Sequence, residues 1–249
     1  METNVAFTST GYGPIWAPAV SSWLRCVGYS ARHFNVQHIG KIGGAGVTDR
    51  QYTHNAENRL VREMLKEPSF THIFMTESDM ILPHDAIVRL AALDKPMASG
   101  VYFLRADEQE ASGQPCLYKR PWLTEAEQKE RVNAEFLHSP VRLFPSDAPF
   151  MADCAGLGCI LIKREVFDIV KEPWFDLKAD GYGSDFYFAK HCKDAGVELW
   201  IDPAVLCEQV DYYFTSIRDW KWRLENDPNF VKAGYIIGES GKDPFFKKP

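Results

Sequence analysis

Short apolar runs alternate along this chain with segments whose apolar positions recur every three or four residues, and that alternation predicts βαβ units around a largely parallel sheet. Asn4 to Thr8 reads as an opening strand that ends in the small polar turn Thr8-Ser9-Thr10-Gly11. Trp16 to Val27 has helical spacing, and Phe34 to Ile39 is a second strand, closed by the glycine-rich segment 40–46. From His54 to Lys66 the residues Leu60, Val61, Met64 and Leu65 recur at helical spacing and leave Glu57, Arg59, Arg62 and Glu63 on other faces, the pattern of an amphipathic helix. Ile73, Phe74 and Met75 form a buried strand; Pro83 suits the first position of a helix whose stripe is Ile87, Leu90 and Ala91; Pro96 to Phe103 is the next strand. Cys159 to Ile162 is a strand followed by a helix over Arg164 to Val170. Ser184 is placed to cap a helix running to Ala195, with Gly196 as its stop and Val197 to Ile201 as another strand.

Two stretches break the pattern. Residues 105–150 carry several prolines and the charged segment 124–137, and they read as an insertion over the sheet edge with a solvated charged helix. From Tyr212 onward the chain is aromatic and mixed in charge: Tyr212, Tyr213, Phe214, Trp220 and Trp222 lie among Arg218, Lys221 and Arg223. Packing back on the domain is the expectation for this extension over 212–249. No repeat of 20 to 50 residues is visible, which sets aside solenoids and propellers. The expected architecture is α/β: a single Rossmann-like domain over residues 1–249, with a mostly parallel central sheet flanked by helices.

Composition narrows the function classes. A chain of 249 residues, 45% hydrophobic, buries a full core, and a net charge of -6 gives no general pull toward nucleic acid or anionic membranes. No run of 18 apolar residues occurs and the first residues lack a secretory pattern, so a cytoplasmic location is expected. The cysteines, at 26, 116, 154, 159, 192 and 207, are scattered without zinc spacing and are expected to be reduced and buried.

The candidate chemistry centres on residues 71–80, where the buried strand breaks into Glu77-Ser78-Asp79. Acids released at the C-terminal end of a strand stand where an open α/β sheet binds ligands. Two carboxylates at this spacing converge on one ion, and hard oxygen ligands suit Mg or Mn with substrate phosphates completing the shell. Taken alone, the same pair also serves merely to end a strand and cap the next helix.

The order of the surrounding segments resembles the GT-A glycosyltransferases, in particular the inverting, family-2-like enzymes that use nucleotide sugars. The resembling segments are FMTESDM, LPHDAIVRLAAL and PMASGVYFLR, then CAGLGCILIKREVFDIV and YGSDFYFAKHCKDAGVELWID. They cover about residues 1–104 and 151–211. The resemblance implies a UDP- or GDP-linked sugar donor, Mn2+ or Mg2+, and a hydroxyl acceptor that is a glycan, a lipid-linked sugar or, less expectedly, a modified nucleic-acid base met by basic patches such as Lys119-Arg120 or Arg218 to Arg223. It places Thr8, Ser9, Thr10, Asn58, Glu77, Ser78 and Asp79 on the donor, with His54 and Asp49 as further candidates near Thr8 to Thr10. It places Gly156, Gly158, Trp174 and Ser184 on the acceptor side. Trp174 suits a sugar-stacking platform and a loop anchor equally. Asp185 is implied as the catalytic base, where otherwise it would simply add negative charge to a helix N-terminus. Metal ligation falls to Glu77 and Asp79, with Glu208-Gln209 standing where the family often has a histidine. Two rival readings remain: a nucleotide-binding protein of the same fold without turnover, and a nucleotidyltransferase, although TSTGYGPIW lacks the basic residues the latter wants.

Overall fold

The computed structural model describes residues 2–10, 16–39, 53–104, 113–120, 138–177, 183–210, 214–215, 217–226 and 235–236. The glycine-rich segment 40–46, Asp49, the charged segment 124–137, Tyr212, Tyr213 and the side chains of Phe214, Arg218, Trp222 and Arg223 lie outside the described residues. The helices are α1 (Ala17–Ser30), α2 (Thr53–Lys66), α3 (Ala86–Ala92), α4 (Val166–Ile169), α5 (Ser184–Asp194) and α6 (Ile217–Asn226). The strands are β1 (Asn4–Thr10), β2 (Asn35–His38), β3 (His72–Glu77), β4 (Met80–Ile81), β5 (Met97–Val101), β6 (Leu117–Lys119), β7 (Ser139–Leu143), β8 (Phe150–Ala152), β9 (Cys154–Ala155), β10 (Cys159–Lys163), β11 (Leu199–Leu206), β12 (Glu208–Val210), β13 (Phe214–Thr215) and β14 (Tyr235–Ile236).

Seven strands make the central sheet in the order β2-β1-β3-β10-β5-β11-β8. β2, β1, β3, β5 and β11 run one way, and β10 and β8 run against them. The sheet is therefore mostly parallel, and helices cover it on both sides. Strand alternation builds the two apolar layers. Ala6, Ile73, Met75, Ile160 and Ile162 face Val61 and Met64 of α2 and Phe188 of α5. Val5, Phe7, Phe74 and Leu161 face Trp23 of α1 and Ile87 and Leu90 of α3.

Several boundaries differ from the sequence reading, each for a local reason. β1 continues to Thr10 rather than turning at Thr8, because Thr8 Oγ1 donates to Phe74 O at 3.0 Å inside the β1–β3 pair. Pro83 precedes its helix: Ala86 N reaches back to Pro83 O at 3.2 Å, and α3 begins after that turn. α4 is shorter than Arg164 to Val170, since Arg164 instead donates to Leu65 O at 2.7 Å and Glu67 O at 3.0 Å, satisfying the last carbonyls of α2. Glu57 is not on an outer face. It is 2% exposed and stands in line with Val61 and Met64, the spacing of one helical stripe.

Residues 105–150 supply β6 and β7, which join β9 and β14 in a four-stranded sheet of order β14-β7-β6-β9. The C-terminal stretch packs back as expected at Trp220, whose indole stacks on Phe144 with centroids 4.8 Å apart and donates to Arg142 O at 3.0 Å. A third sheet, of order β13-β12-β4, decides where the chemistry sits, because it ties the end of the acidic turn to the segment after the last long strand. All six cysteines are free and buried. Among the described residues no helix is long and apolar enough to cross a membrane.

Candidate functional site

The acidic turn forms at the C-terminal end of β3. Thr10 pairs with Glu77 in the β1–β3 register, and Ser78 N donates to Thr10 O at 2.7 Å. The chain turns through Ser78 and Asp79 into β4, which is held by Trp23 Nε1 on Met80 O at 2.9 Å and by Leu82 N on Ser22 Oγ at 3.0 Å. β12 then pairs with β4, matching Gln209 to Met80, and Val210 N donates to Asp79 O at 2.7 Å. This brings Gln209 Nε2 to 3.1 Å from Asp79 Oδ2 across 130 positions of sequence. Gln209 is 5% exposed and its Oε1 has no hydrogen-bond partner. Glu208, the neighbouring candidate, is exposed, because adjacent residues of a strand point to opposite faces. Of the expected metal ligands, Asp79 and Gln209 meet, Glu77 stands at the end of β3 beside them, and Glu208 is turned away. No group of three or more His, Cys, Asp or Glu converges among the described residues.

Asp185 opens the opposite wall. Gly183, not Ser184, is the N-cap of α5; a Cβ on Gly183 would lie 2.5 Å from Asp185 Oδ1, so a larger residue there would make that carboxylate shift. Phe186 N donates to Asp185 Oδ1 at 2.9 Å. Burial pushes the Asp185 carboxyl up to about 6, against the lowering effect of the Phe186 amide and its own. Burial raises Glu57 to about 8; the Ser184 hydroxyl opposes this, and the charges of Asp185 and Glu77 add to it.

Tyr102 forms the floor between these walls. It is 4% exposed, and burial first, then the neighbouring Cys116 and the acids Glu77 and Asp185, hold its hydroxyl protonated well above the ordinary phenol range. The Tyr118 ring meets Phe186 edge-on at 4.8 Å, and His138 lies 5.1 Å from Phe186 on centroids. Gly156 and Gly158, expected to let backbone approach an acceptor sugar, are instead filled by Tyr102. A Cβ on Gly156 would overlap the Tyr102 hydroxyl, and one on Gly158 would stand 3.0 Å from its ring and 2.8 Å from Met80 Sδ.

Two further expectations change, and the open choice at Trp174 is decided. Asn58 was expected on the donor, yet its Nδ2 donates to His54 O at 2.8 Å and Phe175 O at 2.6 Å, while its Oδ1 accepts from Trp174 N at 3.0 Å and Phe175 N at 3.2 Å. Every bonding position of the amide is used within the protein. Trp174 is the loop anchor rather than the stacking platform: it is 5% exposed and donates to Val170 O at 2.8 Å. Thr8 is closed inside the sheet, and Ser9 and Thr10 are 6% and 2% exposed. The aromatic partners found near Asp185 are Tyr118, His138 and Phe186, none signalled by a motif. Replacing Asn58 with Ala should cost about 2–4 kcal/mol in urea unfolding, since the Trp174 and Phe175 amides lose their acceptor in the interior. A cost under about 0.5 kcal/mol would contradict this anchoring role.

No protein-family profile matches the chain, and no curated protein matches it. Among solved structures it is similar to the crystal structure of A197 from STIV, with a TM-score of 0.57 and 14% identity over 87% of this chain and 92% of that one. At that identity the likeness speaks to the fold alone, an α/β arrangement around a mostly parallel sheet.

Proposed function

We propose that this protein is a GT-A-type glycosyltransferase that moves a sugar from a nucleoside-diphosphate sugar to a hydroxyl acceptor with inversion, assisted by Mn2+ or Mg2+. The observation that carries the reading is that Asp79 and Gln209, 130 positions apart, meet at 3.1 Å just beyond the end of β3, at the C-terminal edge of the sheet, with the buried Gln209 Oε1 left without a partner. Ligands of open α/β sheets bind at that edge. The residues present fit a hard divalent cation: Asp79 and the buried Gln209 Oε1 offer oxygens, and Glu77 adds a carboxylate at the end of β3. A bound cation would supply neutralisation of charge on the leaving diphosphate.

The chain's own groups do the rest in this reading. Asp185 takes the proton of the acceptor hydroxyl, a task suited to a carboxyl whose affinity for protons is raised to about 6. Tyr102 and the buried Cys116 exclude water from the floor, while Phe186, Tyr118 and His138 give the acceptor side an aromatic rim. The test is a thermal-shift screen of nucleoside diphosphates and their sugars with and without Mn2+. A Tm rise that needs both nucleotide and metal is expected, because a ligand of the folded state stabilises it. No shift with any nucleotide would end the proposal.

A further inference from the structure

The side-chain amide of Gln209 has two ends, and only one of them is satisfied within the protein. A carboxylate can only accept, so Asp79 Oδ2 takes the NH2 end, Nε2, at 3.1 Å, and the carbonyl Oε1 is the open end. That oxygen belongs to a residue 5% exposed and has no hydrogen-bond partner. An interior carbonyl without a donor is costly, and a methionine of the same length would fill the space without that cost. The backbone behind the amide is fixed on both sides. Gln209 pairs with Met80, Val210 N donates to Asp79 O at 2.7 Å, and Met80 O accepts from Trp23 Nε1 at 2.9 Å. An open carbonyl held beside a carboxylate suits a cation.

We infer that Gln209 is a specificity-determining ligand: with its NH2 tied to Asp79, it turns its carbonyl oxygen to the ion and makes the site an all-oxygen one of the Mg2+ and Mn2+ class. The inference rests on the cation-assisted reading above and adds which ions that site takes. Carboxylate and carbonyl oxygens suit Mg2+ and Mn2+, whereas imidazole nitrogen suits Zn2+ and Ni2+. Mg2+ in particular is held by one or two carboxylates while phosphates and water complete its shell. Asp79, with Glu77 at the end of β3, supplies that number of acids. A histidine at 209 would do the same two-ended task, one ring nitrogen donating to Asp79 Oδ2 and the other facing the ion. Gln209→His therefore exchanges one ligand atom, oxygen for nitrogen.

The deciding measurement is displacement of Mn2+ by Mg2+ and by Ni2+, read from the EPR signal of free Mn2+, in the wild type, Gln209→His and Gln209→Met. Gln209→Met should weaken Mn2+ binding by at least about tenfold, the usual cost of losing even a group that merely orients a ligand. Gln209→His should move the ratio of Ni2+ to Mg2+ affinity by about tenfold or more toward Ni2+. Unchanged Mn2+ affinity in Gln209→Met, or an unchanged ratio in Gln209→His, would overturn the inference; if Gln209→Met does not fold, the ratio decides alone. A wild type that binds no Mn2+, alone or with UDP or GDP, would overturn it too. Mn2+ binding that depends on Gln209, with no Tm shift from any nucleoside diphosphate or its sugar, would end the glycosyl-transfer reading and leave the inference standing. A Tm rise that needs nucleotide and metal and is kept in full by both variants would do the reverse.

Discussion

Replacing Asp79 with Asn is expected to abolish metal-linked binding of nucleoside diphosphate while leaving the protein folded. The argument separates two jobs of one side chain. Its Oδ2 accepts from Gln209 Nε2 and so closes the β4–β12 link; its charge is what a cation bound to a diphosphate would need. Asparagine keeps an oxygen for Gln209 and removes the charge. Loss of a carboxylate ligand costs several kcal/mol, or ~10²- to 10³-fold in affinity at about 1.4 kcal/mol per tenfold. Titration calorimetry with UDP and GDP, in Mn2+ and again in EDTA, reads this directly: the wild type should lose affinity in EDTA, and the variant should already sit at that weak value. Asp79→Ala should show the same binding defect plus about 1–3 kcal/mol of lost stability, because Gln209 is then left with its donor unmet in the interior. Metal-dependent affinity that survives in both variants would remove Asp79 from the site.

Much of this arrangement was legible in the sequence, and the parts that were not share a cause. The strand through Ile73, Phe74 and Met75, the stripe of Leu60, Val61 and Met64 and the long helix opening at Ser184 follow from periodicity, which is a local property. The reversal of β10 between β3 and β5 does not, because it depends on how the chain returns after β5, through residues whose apolar pattern is irregular. Gln209 against Asp79 is equally invisible: two three-residue or shorter strands pair across the fold with no periodic signal to announce them. Glu57 departs from the sequence reading for a different reason. Its spacing to Val61 and Met64 puts it on the buried stripe, whereas its charge points outward, and a fully buried acid is rare enough that residue type argues against the position it takes. The resemblance places Asn58 on the donor, and Trp174 suits platform and anchor equally; three-dimensional proximity to the Phe175 backbone gives Asn58 to the scaffold and settles Trp174 as the anchor.

Asp185→Asn should keep donor affinity within about threefold and lower kcat by ~10²- to 10⁴-fold, the usual contribution of a general base. Asparagine still accepts from the Phe186 amide, so the start of α5 is retained while proton affinity is lost. The pH profile gives a second and sharper reading. Burial raises this carboxyl from its ordinary 3.8 to about 6, so the working, ionised form is depleted as pH falls through about 6, and wild-type turnover should decline there rather than near pH 4. The linked effect on stability has the opposite sense. The folded state binds this proton more tightly than the unfolded chain, so the group's contribution to stability is greatest at low pH and is lost as pH rises from 3.8 to about 6. The amide variant should remove both dependences together. A purely structural Asp185, serving only as charge at a helix N-terminus, would instead lose stability on substitution and leave the limb at pH 6 in place. Turnover and pH profile unchanged in Asp185→Asn would therefore assign the proton transfer to another group.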